Sequence, residues 1–226
     1  MSRQARLVDA LGAGIARGSL EPGQLLDTAA VAAEHGVSRT VVREAFRTLE
    51  TLGLIAARQR VGTVVQPLAS WRLLDPRVIA WREGGADALA QLRELTRLRE
   101  AVEPAAAELA AEHATPEQLA AILDAVERMR AAAAADDVAA FAAADTELHA
   151  LVVTASASAV LAQLLGTLGA ALRSRYAHDL PVFGAEGERS LEQHARLAEA
   201  LAARDGAAAA AVTREIARET GERLRG

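Results

Sequence analysis

Asp145 and His149 stand four residues apart in the run ADTELHALV. On a helix that spacing puts a carboxylate and an imidazole on one face. Such a pair forms an ion pair between neighbouring turns, or it ligates a divalent transition metal such as Zn²⁺, Ni²⁺ or Mn²⁺. A second polar cluster lies in GVSRTVVREAF, residues 36–46, where Ser38, Arg39, Thr40 and Arg43 interrupt a mostly apolar stretch. Hydroxyls and guanidinium forks at a helix start suit phosphates and base edges of DNA. The plainer alternative is a capped surface helix with Glu44 and Arg47 paired on its outside. Nothing in the chain assembles a catalytic centre: there is no Cys, no Gly-rich phosphate loop, and no Ser beside a His with an orienting acid at a telling spacing.

The elements around the first cluster decide its meaning. Apolar residues Leu7, Val8, Leu11 and Ile15 recur at helical spacing over residues 5–17. GSLEPGQLL then breaks the pattern with Gly and Pro. Asp27 or Thr28 can cap a short second helix to His35, and Ser38 caps a third that runs to about Leu52, with Val37, Val41, Ala45 and Leu49 facing inward. LIAARQRVGTVVQP follows as two β-runs around a turn at Gly62. Three helices and a hairpin predict a winged helix-turn-helix, in which the last helix enters the major groove with its first residues on the bases.

From about Ser70 onward only helical periodicity appears. Pro104 marks a kink in the first long helix, and Thr115 with Pro116 opens the next. The alanine runs Ala131–Ala135 and Ala207–Ala211 read as helix-favouring filler. The fold class expected is therefore mainly α: a winged-helix DNA-binding domain at 1–68, a junction at 69–86 and an all-helical bundle at 87–226. Charge divides the same way. Residues 1–68 carry 8 Arg against 6 acids, and residues 69–226 carry 17 Arg against 24, for a net charge of −5. A mildly basic head on an acidic body fits a binding module joined to something different. The absence of Cys suits a cytoplasmic setting, no signal peptide is expected, and no charge-free run long enough to span a membrane is present. Aromatic residues are 3%, too few for a base-stacking surface.

GSLEPGQLL, GVSRTVVREAFRTLETLGLI and the wing RQRVGTVV together resemble the GntR family of bacterial winged-helix transcription factors over residues 5–66. The resemblance implies that Arg39, Thr40 and Arg43 contact operator bases and phosphates and that Gly62 sits at the wing tip in the minor groove. The family commonly has Pro where this chain has Val41, and an Arg contact made by some members is replaced by Ala29. LRELTRLREAVEPAAAELAA, ADTELHALV and LEQHARLAEALAARDG resemble the FCD ligand domain of the FadR-like branch over about residues 90–220. That domain is a helical bundle that binds a small effector and dimerises. Its members often hold a divalent metal on one Asp and three His. Here Asp145, His149 and His194 match, while the fourth position is Ile216, which cannot ligate.

Two versions of the sensor follow. In one, Asp145, His149 and His194 hold a Zn, Ni or Mn ion whose open positions take the effector. In the other, the effector meets His149, His194 and Arg99 without metal. Arg99 either clamps an anionic effector or pairs with Glu103 one turn on. Arg173 and Arg175 with Tyr176 form a weaker candidate group, read as a solvated helix end; His178 is a substitute ligand, and Ser158 replaces an Asn usual in the family. The expected function is a homodimeric regulator, most simply a repressor, that binds double-stranded operator DNA and answers to a small carboxylate, with no membrane partner. The alternative is a metal-dependent enzyme or metal sensor built on Asp145, His149 and His194.

Overall fold

Helix α1 (Arg3–Ala16) begins where the Ser2 hydroxyl accepts from the Ala5 amide, and it buries Leu7, Val8, Leu11 and Ile15. Strand β1 (Leu25–Leu26) follows, then α2 (Thr28–Glu34), α3 (Arg39–Thr51), β2 (Ile55–Arg58) and β3 (Gly62–Val65). In this computed structural model, residues 1–177 and 185–224 are described. The chain divides into two units, Met1–Ala88 and Leu89–Gly226.

The first unit is a winged helix-turn-helix. Its strands form an antiparallel sheet in the order β1-β3-β2, with Leu25 opposite Val64 and Arg58 opposite Gly62. Caps explain the helix starts. Asp27, rather than Thr28, accepts from the Ala29 and Ala30 amides, and Ser38 accepts from Val41. Gly53 ends α3 at φ 78°, and a Cβ there would meet the Ser70 carbonyl oxygen at 2.0 Å, so only glycine fits.

Three expectations need correction here. The inward face of α3 is wider than expected: Val42 and Phe46 are buried with Ala45 and Leu49, while Val37 and Val41 are half-buried against the same core. Four-residue spacing drifts about 40° per step around a helix of 3.6 residues per turn, so Val37 and Val41 fall at the edge of a face whose centre alternates steps of three and four. Gly62 is not the turn of the hairpin but the first residue of β3; the turn is residues 59–61, with Arg60 at φ 62°. Finally, the supposed junction is structured. After a 3₁₀ turn at Leu68–Ser70, α4 (Pro76–Arg82) packs Val78 and Trp81 into the core of the first unit. The Trp81 indole N–H donates to Asp9 at 3.2 Å, and its rings lie against Gly12 of α1.

The second unit is all helical: α5 (Ala88–His113), α6 (Pro116–Ala134), α7 (Val138–Ala155), α8 (Ala159–Ala162), α9 (Leu165–Ala177), α10 (Ala185–Ala202) and α11 (Gly206–Arg223). α5 continues through Pro104. Thr115 and Gln118 form a capping box at α6. One helix was expected over the segment after Ser158, but it is broken into α8 and α9; Ser158 caps α8 through the Leu161 amide at 3.3 Å. The alanine runs are split: Ala131, Ala134, Ala135, Ala207 and Ala211 are exposed, while Ala132, Ala209 and Ala210 belong to the core. Ala107, Ala110, Ala111, Ala132 and Ala209 are buried with Leu148, Leu197 and Ile216, and their small side chains let helices approach closely. α7 is long and apolar enough to cross a membrane by length and composition, with mean hydropathy 1.3, but Phe141, Leu148 and Val152 of that helix belong to this core.

Candidate functional site

Three helices aim polar side chains into the apolar interior of the second unit. α5 supplies Arg99 and Glu103, α7 supplies Asp145 and His149, and α10 supplies His194; all five are buried. His194 Nδ1 lies 2.6 Å from the Ser190 carbonyl oxygen, which can only accept, so Nδ1 carries the proton. His149 Nδ1 lies 3.1 Å from Glu103 Oε2 and donates to it in the same way. Both imidazoles therefore turn Nε2 inward, where it can carry a proton or ligate a cation. These two nitrogens are 3.3 Å apart, and they lie 3.0 Å (His194) and 3.6 Å (His149) from Asp145 Oδ1. Oδ1 makes no hydrogen bond with good geometry. Two ring nitrogens and a carboxylate oxygen thus converge within 3.6 Å, an arrangement held together by a proton on Nε2 or by a shared cation.

The spacing suits a metal. Donors about 2.0–2.2 Å from an ion stand roughly 3.0–3.6 Å from each other in tetrahedral or octahedral arrangements. The surroundings are of the kind that orient metal ligands: the Glu103 carboxylate behind His149 and a backbone carbonyl behind His194. Asp145 Oδ2 accepts from the Tyr176 hydroxyl at 2.8 Å, which leaves Oδ1 for the centre. Asp145, His149 and His194 accordingly form a group able to hold a metal. Ile216 is buried in the apolar core, so it contributes packing and no donor.

The charges are set by their neighbours. Burial works against ionising Asp145, but His194, His149 and Arg175 outweigh it and hold the carboxyl well below its usual range. Burial likewise pushes Glu103 up, while Arg99 and His149 pull it further down, to about 2. Arg99 grips Glu103 with Nε at 2.7 Å and Nη2 at 3.2 Å, so the ion-pair reading of these two residues is the one observed. Nη2 also lies 3.5 Å from His149 Nε2, which places Arg99 at the edge of the cluster. Tyr176 is pushed up by burial and by Asp145, and stays a hydrogen-bond donor.

Arg175 departs from expectation. Arg173 is exposed, as a solvated helix end predicts, but Arg175 is buried, with Nη1 3.9 Å from Asp145 Oδ2 and its guanidinium 5.2 Å from the Tyr176 ring centre. The sequence held a signal for this: Arg175 falls on the stripe Leu168, Ala171, Leu172, Arg175, which is the buried face of α9. His178 lies outside the described residues.

In the first unit Ser38, Arg39, Thr40, Arg43 and Gly62 are all exposed. α3 presents the first four at its start and outer face, opposite the buried stripe. Arg47 pairs with Glu44 at 2.8 Å, whereas Arg39 and Arg43 form no ion pair among the described residues. Ala29 is exposed on α2 and offers no side-chain donor.

A winged helix-turn-helix followed by a helical bundle with a buried polar centre defines a DNA-binding transcription regulator with a sensor module. Residues 3–65 match the bacterial regulatory proteins of the gntR family, and residues 94–219 match the FCD domain. The chain is 31% identical over 210 residues to the galactonate operon transcriptional repressor of Escherichia coli (strain K12), covering 92% of this chain and 91% of that protein. It is 33% identical over 196 residues to the probable D-xylose utilization operon transcriptional repressor of Paenarthrobacter nicotinovorans, covering 84% and 75%. The solved structure of Lar, which controls the Listeria monocytogenes agr system, shares the fold at TM-score 0.69 and 16% identity, over 100% of this chain and 97% of that one. The chain belongs to the GntR family of transcriptional regulators and carries an FCD domain. The family consists of regulators, not enzymes, so the metalloenzyme alternative is not favoured.

Proposed function

We propose that this protein is a homodimeric repressor working in the cytoplasm, whose grip on a palindromic operator is controlled by a small carboxylate bound in the helical unit. The winged unit is the DNA-binding module, with Arg39, Thr40 and Arg43 on bases and phosphates, Ser38 at the helix start and Gly62 in the wing. The helical unit is the effector and dimerisation module. Two relatives named as operon repressors, one for galactonate, support repression and an organic-acid effector.

The observation that carries the sensor reading is the buried convergence of His149 Nε2, His194 Nε2 and Asp145 Oδ1 within 3.6 Å of one another. Their donor set suits Zn²⁺, Ni²⁺ or Mn²⁺. When bound, such an ion supplies Lewis-acid positions for an oxygen ligand. Asp145 and the two His hold it, Glu103 fixes the ring of His149, and Arg99 keeps Glu103 ionised. A metal-free version has one point in its favour: a protonated His194 would face Asp145 Oδ1 at 3.0 Å. The proposed regulator is tested by selecting sites for the full-length protein from a random duplex library at moderate salt. An enriched inverted repeat is expected; failure to enrich any sequence would overturn the reading.

A further inference from the structure

We infer that Arg175 is the oxyanion receptor of the sensor site, the side chain that recognises the carboxylate or phosphate group of the ligand bound there. The inference rests on the proposed effector role of the Asp145–His149–His194 centre. Arg175 is 4% exposed, yet its Nε and Nη1 make no hydrogen bond among the described residues. Leaving a buried guanidinium unsatisfied is costly, and such a group is ordinarily paired. Its neighbours explain why it is not. The nearest carboxylate, Asp145 Oδ2, is 3.9 Å away, beyond hydrogen-bond reach, and is already taken by the Tyr176 hydroxyl at 2.8 Å. Tyr176 offers the guanidinium a ring rather than an acceptor.

Arg99, the residue expected to clamp the effector, is in the opposite condition. Two of its nitrogens are engaged by Glu103, so its fork is filled by the protein itself. The buried ions Arg99 and Glu103 balance, as do Arg175 and Asp145. An added divalent cation would leave an excess of positive charge in a dry site, and an anionic ligand restores neutrality. A buried guanidinium whose Nε and Nη1 lack an acceptor, beside that centre, offers charged N–H donors to an oxyanion, and a carboxylate or a phosphate supplies the oxygens. Arg175 and the three-atom centre together would therefore hold a small anion from two sides, with Arg99 buttressing His149 through Glu103.

The test is calorimetric titration of the full-length protein with citrate and, separately, with inorganic phosphate, for the wild type, Arg175→Gln and Arg175→Lys. Each is run in zinc-supplemented and in chelator-treated buffer, with Zn²⁺ also titrated alone. The wild type should bind at least one of the two anions. Arg175→Gln should weaken that binding about 10–100-fold, the effect of one charge-assisted hydrogen-bonding group. Arg175→Lys should recover part of it, and Zn²⁺ binding alone should change little in either variant. The anion that binds identifies the source of the oxyanion. If neither anion binds the wild type, or if Arg175→Gln with unchanged melting temperature binds as tightly as the wild type, the inference is wrong. Zinc binding that fails while anion binding still depends on Arg175 overturns the metal reading and leaves the receptor assignment standing.

Discussion

Glu103 shows how much one buried side chain decides. It accepts from Arg99 and from His149, so it neutralises one and orients the other. Replacing it by Gln leaves Arg99 as an uncompensated buried charge, which costs about 3–5 kcal/mol. If the centre holds a metal as proposed, losing the charge and one of the two acceptor oxygens beside His149 would also weaken metal affinity by about 10–100-fold. A lowered melting temperature together with a weaker zinc isotherm is the expected result for Glu103→Gln; a variant as stable as wild type would contradict the assigned role. Acid has a definite sign here. Glu103 is held at about 2, below its ordinary 4.5, and Asp145 is lowered too. Their contribution to stability is thus complete above about pH 4.5 and disappears as pH falls toward 2. Denaturant midpoints measured in chelator should drop across that window, and Glu103→Gln should flatten the drop. The pair Asp145–His149 was legible from spacing alone, and His194 from resemblance. The meeting of their nitrogens was not, because it depends on how α7 and α10 pack. Arg175 was misread because charge was weighed above its place in the apolar stripe of α9.

At the scale of elements, the caps and breakers were plain in the sequence: Ser38, Thr115 with Pro116, and Gly53 each mark the boundary found. What hid were the elements made by distant partners. β1 is only Leu25–Leu26 and exists because Val64 and Thr63 offer it a neighbour; no local pattern announces two residues. α4 looked like linker because Pro76 and Trp81, with Pro67 and Trp71 before them, resemble a junction, yet Trp81 fills a space against Gly12 that only the assembled unit creates. Two predictions belong here. Gly53→Ala meets both a positive φ and the Ser70 carbonyl, so thermal unfolding should show a loss greater than about 1 kcal/mol; no loss would mean the α3 terminus is not so constrained. Arg39→Ala should weaken specific operator binding by about 1–3 kcal/mol with helical content unchanged. An electrophoretic shift at wild-type affinity would remove α3 as the reading helix.

At the scale of the whole molecule, a single winged helix covers few base pairs, and two-fold symmetry doubles the contacts on a palindrome. The full-length protein should therefore scatter light as a dimer of 23.6 kDa chains at micromolar concentration, and a monomer mass would contradict the homodimer. Because α4 is part of the first unit's core, a fragment carrying the helical module should begin at Leu89, where the second unit starts, rather than at residue 70. Such a cut keeps each core intact. The central claim, that the helical unit of this regulator is built around a metal-holding sensor centre, is tested most directly by elemental analysis of full-length protein purified without chelator. The account predicts about one zinc, nickel or manganese ion per chain in the wild type and almost none in His149→Ala or His194→Ala. Wild-type protein that stays free of metal after incubation with all three ions would contradict it.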